Sequence, residues 1–479
     1  MSSVKNKTYN KNRWIILFTV VSATFMSTLD GSIVNVALPD MSIKLHVPMA
    51  SIEWVVTGFL ITILATILIF GRLGDIKGKT KIFRLGVILF TLGSFLCGLT
   101  NSLLFLIAAR CIQAVGAAAT MATNQGIITQ VFPPNERGSA LGIVGTFVAL
   151  GGMTGPPLGG FIISIASWKY IFFLNVPVGI IVFIMCVKTF PKSNKSSSEK
   201  LDPKGSLLFM VSIILMFGAL VQGQSTGYNN PFIIYAFIIS FITFILFVIV
   251  ENKLESPLLE FSIFKNSLFS ISIICGFISF VAISASNIIL PFYFEDAIKL
   301  SPASTGFYMM VSPIVLSVVA PISGHMSDKI GSEILTLIGL TLTSVGLFLI
   351  STLNISSSLV LIVIYIIIMT IGNGMFQSPN NSLIMSTVEQ SKLGIAGSVN
   401  ALVRNLGFVV GTSVSTLILY NKMSDKIGYR VIDYIKGKDY VFMYGMKYVY
   451  IYAALLCLIG ASITGFRLYY SKKGKLKAS

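Results

Sequence analysis

Fourteen apolar runs, each near the roughly 20 residues that one α-helix needs to cross the hydrocarbon of a bilayer, recur along this chain of 479 residues. They lie near 14–36, 53–71, 82–99, 103–123, 138–162, 170–189, 205–222, 232–250, 267–290, 304–322, 334–351, 358–377, 395–420 and 446–468. Lipid offers no water to backbone N–H and C=O groups, so such segments must close their hydrogen bonds within helices. The expected fold class is all-α integral membrane, with spans consuming about 290 residues and leaving only short connections. Charged residues make up 11% of the chain, against roughly a quarter in soluble domains, which excludes a large soluble domain. The basic stretch before Trp14 leads into a run without a small-residue cleavage site and reads as a retained first span, not a signal peptide. Cys97, Cys111, Cys186, Cys275 and Cys457 fall inside apolar runs at no metal or redox spacing. They read as small buried hydrophobes, and no metal site is expected.

The formal charge of +17 orients the chain. With both termini in the cytoplasm, most Lys and Arg residues fall in inner segments, as they do in membrane proteins generally. The outer loop 421–445 is an exception, where Asp425, Asp433 and Asp439 partly offset the cations. Weak attraction to anionic lipid is a second effect. Nucleic-acid binding is not expected, because the basic residues are divided among loops instead of forming a stripe. Trp14, Trp54 and Trp168 stand at span ends and read as interface anchors.

The chain also repeats itself. Gly71-Arg-Leu-Gly-Asp75-Ile-Lys-Gly78, read as the loop after span 2, matches Gly324-His-Met-Ser-Asp328-Lys-Ile-Gly331 after span 10. Leu150-Gly151-x-x-x-Gly155 in span 5 is echoed by Leu406-Gly407-x-x-x-Gly411 in span 13. The expected organisation is a six-span bundle over 1–190, a linker with inserted spans 7 and 8 over 191–266, and a second six-span bundle over 267–479. Segment 191–204, rich in Lys and Ser, reads as a flexible linker. Paired halves around a midplane site are a recurrent transporter design, because rocking one half against the other exposes the site to either side in turn.

A charged side chain near the bilayer centre costs at least about 2.5 kcal/mol and is rarely kept without a partner or a role. Asp30, Arg110 and Arg404 are the deep ionisable residues. At 1.5 Å per residue, Asp30 lies about 13 Å below Pro39, and Arg110 about 10 Å below the outer end of span 4, so the two can meet. Burial favours the neutral carboxyl and a guanidinium favours the carboxylate, so movement of either group would switch proton affinity. Asp30 is read as the proton carrier and Arg110 as its stabiliser, with a static packing pair as the alternative. Gln113 shares the helix face of Arg110 and would orient it or touch substrate. Arg404 reads equally as a structural anchor or a pathway residue. In span 5, Gly142, Gly151, Gly155, Pro156, Gly159 and Gly160 combine close-packing glycines with a bend. In the repeated loop motif, the glycines Gly71 and Gly78 permit a tight turn. Asp75 is placed to accept hydrogen bonds from a helix N-terminus or a basic side chain, and its repetition as Asp328 argues for a cytoplasmic gate.

Together these motifs resemble the major facilitator superfamily, specifically fourteen-span drug:proton antiporters of the bacterial multidrug and antiseptic resistance type. Leu29-Asp-Gly-Ser-Ile-Val-Asn-Val-Ala-Leu-Pro39, Arg110-Cys-Ile-Gln113-Ala-Val-Gly116 and the Gly142 to Gly160 pattern carry the likeness. So do Trp168-Lys-Tyr-Ile-Phe-Phe-Leu-Asn-Val-Pro177, Pro257-Leu-Leu-Glu-Phe-Ser-Ile-Phe264 and Val403-Arg-Asn-Leu-Gly407. The resemblance implies that spans 1, 4, 9 and 12 line a central cavity. Its polar residues would be Asp30, Asn35, Arg110, Gln113, Asn124, Asn287, Asn373 and Gln377, with Met26, Met121 and Met375 as adaptable apolar surface. Thr412 stands where the first copy has Pro156, and the last six spans hold no deep acid. Monocationic, zwitterionic or neutral lipophilic substrates are therefore expected.

The expected function is export of small amphipathic or lipophilic compounds in exchange for protons, by a monomer in the bacterial cytoplasmic membrane. Its partners would be substrate, protons and membrane lipid, with no cofactor. The alternatives are an exporter dedicated to one metabolite, peptide, siderophore or self-made antibiotic, and a membrane receptor or enzyme. Against an enzyme, His46 and His325 stand near no evident nucleophile or metal cluster. No phosphate-cradling G-x-x-x-x-G-K-[ST] is present to support pumping by ATP.

Overall fold

The structure is a computed structural model that describes residues 12–47, 49–191, 201–254, 257–431, 434–435 and 437–477. All regular structure among them is helical. Among the described residues, fourteen helices are long and apolar enough to span a membrane. Spans 1 to 7 are Arg13–Leu38, Trp54–Lys77, Lys79–Leu99, Leu103–Val131, Pro134–Ile165, Lys169–Thr189 and Pro203–Gly223. Spans 8 to 14 are Pro231–Glu251, Ser267–Ala297, Ser304–Ile330, Ser332–Ser351, Leu359–Ser386, Leu393–Ile427 and Asp439–Tyr469. Each overlaps one of the apolar runs.

Helix starts follow capping chemistry. Asp202, Asn230 and Asn266 each turn a side-chain oxygen onto the first free N–H groups of spans 7, 8 and 9. Pro203 and Pro231 occupy first-turn positions, where a missing N–H costs nothing. Most of the linker segment, residues 192–200, lies outside the described residues. Its last two residues already belong to the helix of span 7.

Three expectations need correction. The Gly71 to Gly78 motif is not a loop: helix continues through Asp75 to Lys77, and only Gly78 turns the chain. The same holds for Gly324 to Gly331. The turn glycines have φ of 99° and 92°, a region L side chains avoid, whereas the earlier glycines serve packing. The loop read at 421–445 is much shorter, since helix runs on to Ile427 and resumes at Asp439. Trp168 is 1% exposed, packed edge-on to Phe172 among Ile33, Val34 and Leu106. Surrounding helices have taken this indole into the protein, so it is no interface anchor.

The chain forms two compact units. The first comprises Met1–Ala140, Gly151–Lys265 and Val388–Leu402, and the second Leu141–Leu150, Asn266–Thr387 and Val403–Ser479. Spans 5 and 13 are thus each divided between units. Between helices in lipid the hydrophobic drive is weak, and association depends on close backbone approach and polar contacts. In the first unit, a Cβ on Gly86 or Gly93 would strike the backbone of Gly116 or Gln113, joining spans 3 and 4. In the second, Gly339 and Gly346 meet the backbones of Gly372 and Met369 in the same way, joining spans 11 and 12.

Candidate functional site

Inside the first unit, span 1 supplies Asp30 and span 4 supplies Arg110 and Gln113, all three with no measurable exposure. Arg110 Nη1 donates to Asp30 Oδ2 and, at 2.6 Å, to Gln113 Oε1. Gln113 Nε2 donates to Asp30 Oδ1 at 2.9 Å and to Ser94 Oγ at 2.8 Å. Arg110 Nε donates to the Val55 carbonyl oxygen at 3.1 Å, and the guanidinium lies 3.9 Å from the Phe59 ring centroid. A buried ion pair persists only if its remaining donors and acceptors are met. Here spans 1, 2, 3 and 4 meet most of them, and Arg110 Nη2 is left without a hydrogen-bond partner. Reading the sequence missed the fifth contributor, Asn175 of span 6, whose Nδ2 donates to Asp30 Oδ1 at 2.8 Å. Its signal was an amide inside the otherwise apolar run 170–189.

The glycines of span 5 divide by neighbour. A Cβ on Gly151 would strike Thr28 and the Phe25 carbonyl, and one on Gly155 would strike Ser32 and the Ile33 backbone. Gly159 packs on Ile33. These three hold span 5 against span 1, and Ser32 Oγ donates to the Gly151 carbonyl oxygen at 3.0 Å. Gly142 instead meets the backbone of Ala320 and Pro321 in span 10. Gly160 faces open space, so close packing does not explain it, and Pro156 lies within the same helix. The second unit repeats the arrangement, with Gly407 against Phe277 and Phe280 and Gly411 against Val281 and Ser284, joining span 13 to span 9.

At the end of span 2, Asp75 accepts the N–H groups of Gly394 at 2.8 Å and Ile395 at 2.9 Å, in the first turn of span 13. Lys79 pairs with it at 2.5 Å. A carboxylate suits a helix N-terminus, where unpaired N–H groups and the helix dipole both attract it. Gly71 packs on the same turn, against Ser398 and the Gly394 carbonyl. Asp328 holds the matching position near the end of span 10. Next to the Asp75 contact, Lys392 pairs with Glu260 at 2.7 Å. Burial alone would raise the Glu260 carboxyl. Hydrogen bonds from Lys392 and Ser262, with the charges of Lys392 and Arg72, outweigh it and hold the carboxyl below its ordinary range.

The remaining expected residues are not gathered by any hydrogen bond into the Asp30 network. Met26 and Asn124 are buried in the first unit, where Asn124 Oδ1 accepts from the Gln125 N–H. Met121 is half-buried, and Asn35 is exposed and donates to the Gly31 carbonyl oxygen of its own helix. In the second unit Asn287 is exposed, while Gln377 donates to Asn373 at 3.0 Å. Arg404 is half-buried, with no ion pair to any acid among the described residues.

Comparison with known proteins places this geometry. Residues 20–412 match the Major Facilitator Superfamily. The chain is 36% identical over 457 residues to the riboflavin transporter RibZ of Clostridioides difficile (strain 630), covering 95% of this chain and 98% of that one. It is 29% identical over 415 residues to multidrug resistance protein 3 of Bacillus subtilis (strain 168), covering 86% and 81%. The crystal structure of the human organic anion transporter MFSD10 has a TM-score of 0.67 at 11% identity, covering 94% and 99%, a likeness of fold alone. Transporters, not enzymes, make up this company. With fourteen spans and a family match running from span 1 into span 13, the chain belongs to the Major Facilitator Superfamily and is a membrane transporter of its fourteen-span type.

Proposed function

We propose that the protein exports small amphipathic compounds across a bacterial cytoplasmic membrane in exchange for protons, with both termini and the Asp75 contact on the cytoplasmic side. The observation that carries this reading is the buried Asp30, held by Arg110, Gln113 and Asn175. While those donors face it, the carboxylate is stabilised; when a helix movement withdraws them, burial favours the protonated acid. Uptake and release of one proton at Asp30 then accompany the switch between states, and substrate moves outward as a proton moves inward. Protons are the coupling ion, and the protein works as a monomer in contact with lipid.

The test is reconstitution in vesicles, an imposed pH gradient and a chemically diverse panel of candidate substrates. Asp30→Asn abolishes uphill transport and spares membrane insertion; undiminished pH-driven efflux in that variant would reject the proposal. Uptake along the proton gradient would also overturn it.

A second reading has its own support. The similarity to a protein named for riboflavin transport favours a carrier dedicated to one heteroaromatic metabolite. Transport of riboflavin alone from the panel would establish it, and acceptance of many unrelated compounds would dismiss it.

A further inference from the structure

The inserted spans 7 and 8 bring two carboxyl groups onto one glycine. Asp202 caps span 7: its Oδ1 accepts the Lys204 N–H at 2.9 Å and its Oδ2 the Gly205 N–H at 2.6 Å. Glu251, the last residue of span 8, is 2% exposed. Its Oε2 accepts the Leu259 N–H at 3.0 Å. Its Oε1 is buried without a hydrogen-bond partner. A Cβ added to Gly205 would collide with both Glu251 Oε1 and Asp202 Oδ2, so the orphan oxygen and the neighbouring carboxyl crowd the same glycine.

Among the described residues, few charged groups act on Glu251. Arg72 of span 2 acts on Glu251 and also on Glu260 of the following segment. Glu260 has its own cation in Lys392. In surroundings of low dielectric like charges repel strongly, and at Glu251 the repulsion from Asp202 outweighs the attraction of Arg72. An acceptor left without a donor adds its own desolvation cost. A proton on Glu251 Oε1 removes both difficulties.

We propose that Glu251 is a second proton-binding site, separate from Asp30, whose proton holds spans 7 and 8 and the segment Pro257–Phe264 together. Glu251 takes that proton from water on the face of the membrane where the Asp75 contact lies. Its loss sets two carboxylates against each other across Gly205. The strain passes through the Leu259 N–H to the segment carrying Glu260, and so to Lys392, two residues before the Gly394 N–H that Asp75 accepts. The insert thereby gives the contact between spans 2 and 13 a sensitivity to pH on that face.

The test uses the full chain in lipid nanodiscs. Infrared difference spectra recorded through a pH titration follow the carbonyl stretch of protonated carboxyl groups. Hydrogen exchange, corrected for its intrinsic pH dependence, follows residues 257–264. The wild type loses one carboxyl band as pH rises, and exchange of 257–264 accelerates at the same step. Glu251→Gln lacks that band and keeps the segment at least about tenfold slower than wild type above the step, a one-unit separation in proton affinity. Asp202→Asn moves the step to more acid pH, because the charge opposing ionisation is gone, and gives an independent reading should the Gln variant fold poorly. Asp30→Asn leaves the step in place, which separates this site from the transport proposal. A step that persists in Glu251→Gln, ignores Asp202→Asn or vanishes in Asp30→Asn overturns the proposal.

Discussion

The two units share their packing but not their chemistry. In each, a glycine pair four residues apart seats one helix on another: Gly151 and Gly155 on span 1, Gly407 and Gly411 on span 9. In each, a glycine at strongly positive φ, Gly78 or Gly331, turns the chain after the motif that carries Asp75 or Asp328. The interiors differ. The first unit buries an ion pair with amide and hydroxyl partners, Asp30, Arg110, Gln113, Asn175 and Ser94. Between the corresponding spans of the second unit the buried polar groups are mainly hydroxyls and amides, such as Ser279, Ser284, Thr343, Thr370 and Asn373. The repeated motifs thus coincide with what backbones need in order to approach in lipid. Ionisable groups, costly to bury, stand where one copy has a use for them.

The sharpest way to break this comparison is at the two deep arginines. Arg110→Ala strands the Asp30 carboxylate and is expected to cost about 3–5 kcal/mol, seen as a lower unfolding temperature in detergent together with loss of proton-driven transport. Arg404→Ala, which separates no ion pair among the described residues, is expected to stay below about 1 kcal/mol. Equal losses would mean that the second unit hides an equivalent charge network.

The shared packing is tested by Gly155→Leu and Gly411→Leu. Each forces a side chain into helix backbone and should cost about 1–3 kcal/mol by overpacking. Similar drops in unfolding temperature are expected from both. A tolerant second site would show that the echo in sequence is not an echo in packing.

Asp75→Ala removes a helix cap and an ion pair, with an expected loss of about 0.5–2 kcal/mol. Faster hydrogen exchange at Gly394 and Ile395 is the measurement that localises it, and unchanged exchange there would detach Asp75 from span 13.

The smallest effect concerns Glu260. Its carboxyl is held below the ordinary value of 4.5, so the stabilisation it contributes is fully present above that pH and is lost as pH falls through the lower folded value. The pair is partly exposed, and its worth is about 0–1 kcal/mol. Unfolding temperatures measured down an acid series should converge for wild type and Glu260→Gln; a constant gap would remove the ion pair as the cause.

How far the site was legible follows from the distances involved. Asp30 and Arg110 stood out because each interrupts an apolar run, a property of the run itself. Asn175 was overlooked because an amide in a span is ordinary until its phase against another helix is known, and 145 positions separate it from Asp30. Trp168 misled for a related reason, since an indole at a span end suits either lipid headgroups or a helix interface. The motif around Asp75 was legible as an acid near a turn, whereas its continuation as helix depended on Gly71 packing against the first turn of span 13.

The sequence by itself determined the number of crossings, the all-helical class and the internal repetition. These follow from hydropathy summed over one helix length and from glycines at fixed spacing, both of which act along the chain. Only the tertiary structure decided which polar groups complete the Asp30 pair, which helix end Asp75 caps, and that two carboxyls of the inserted spans share Gly205. Those contacts join residues far apart in sequence, and their geometry depends on how helices rotate and approach one another in lipid, where close packing and a few hydrogen bonds set the choice.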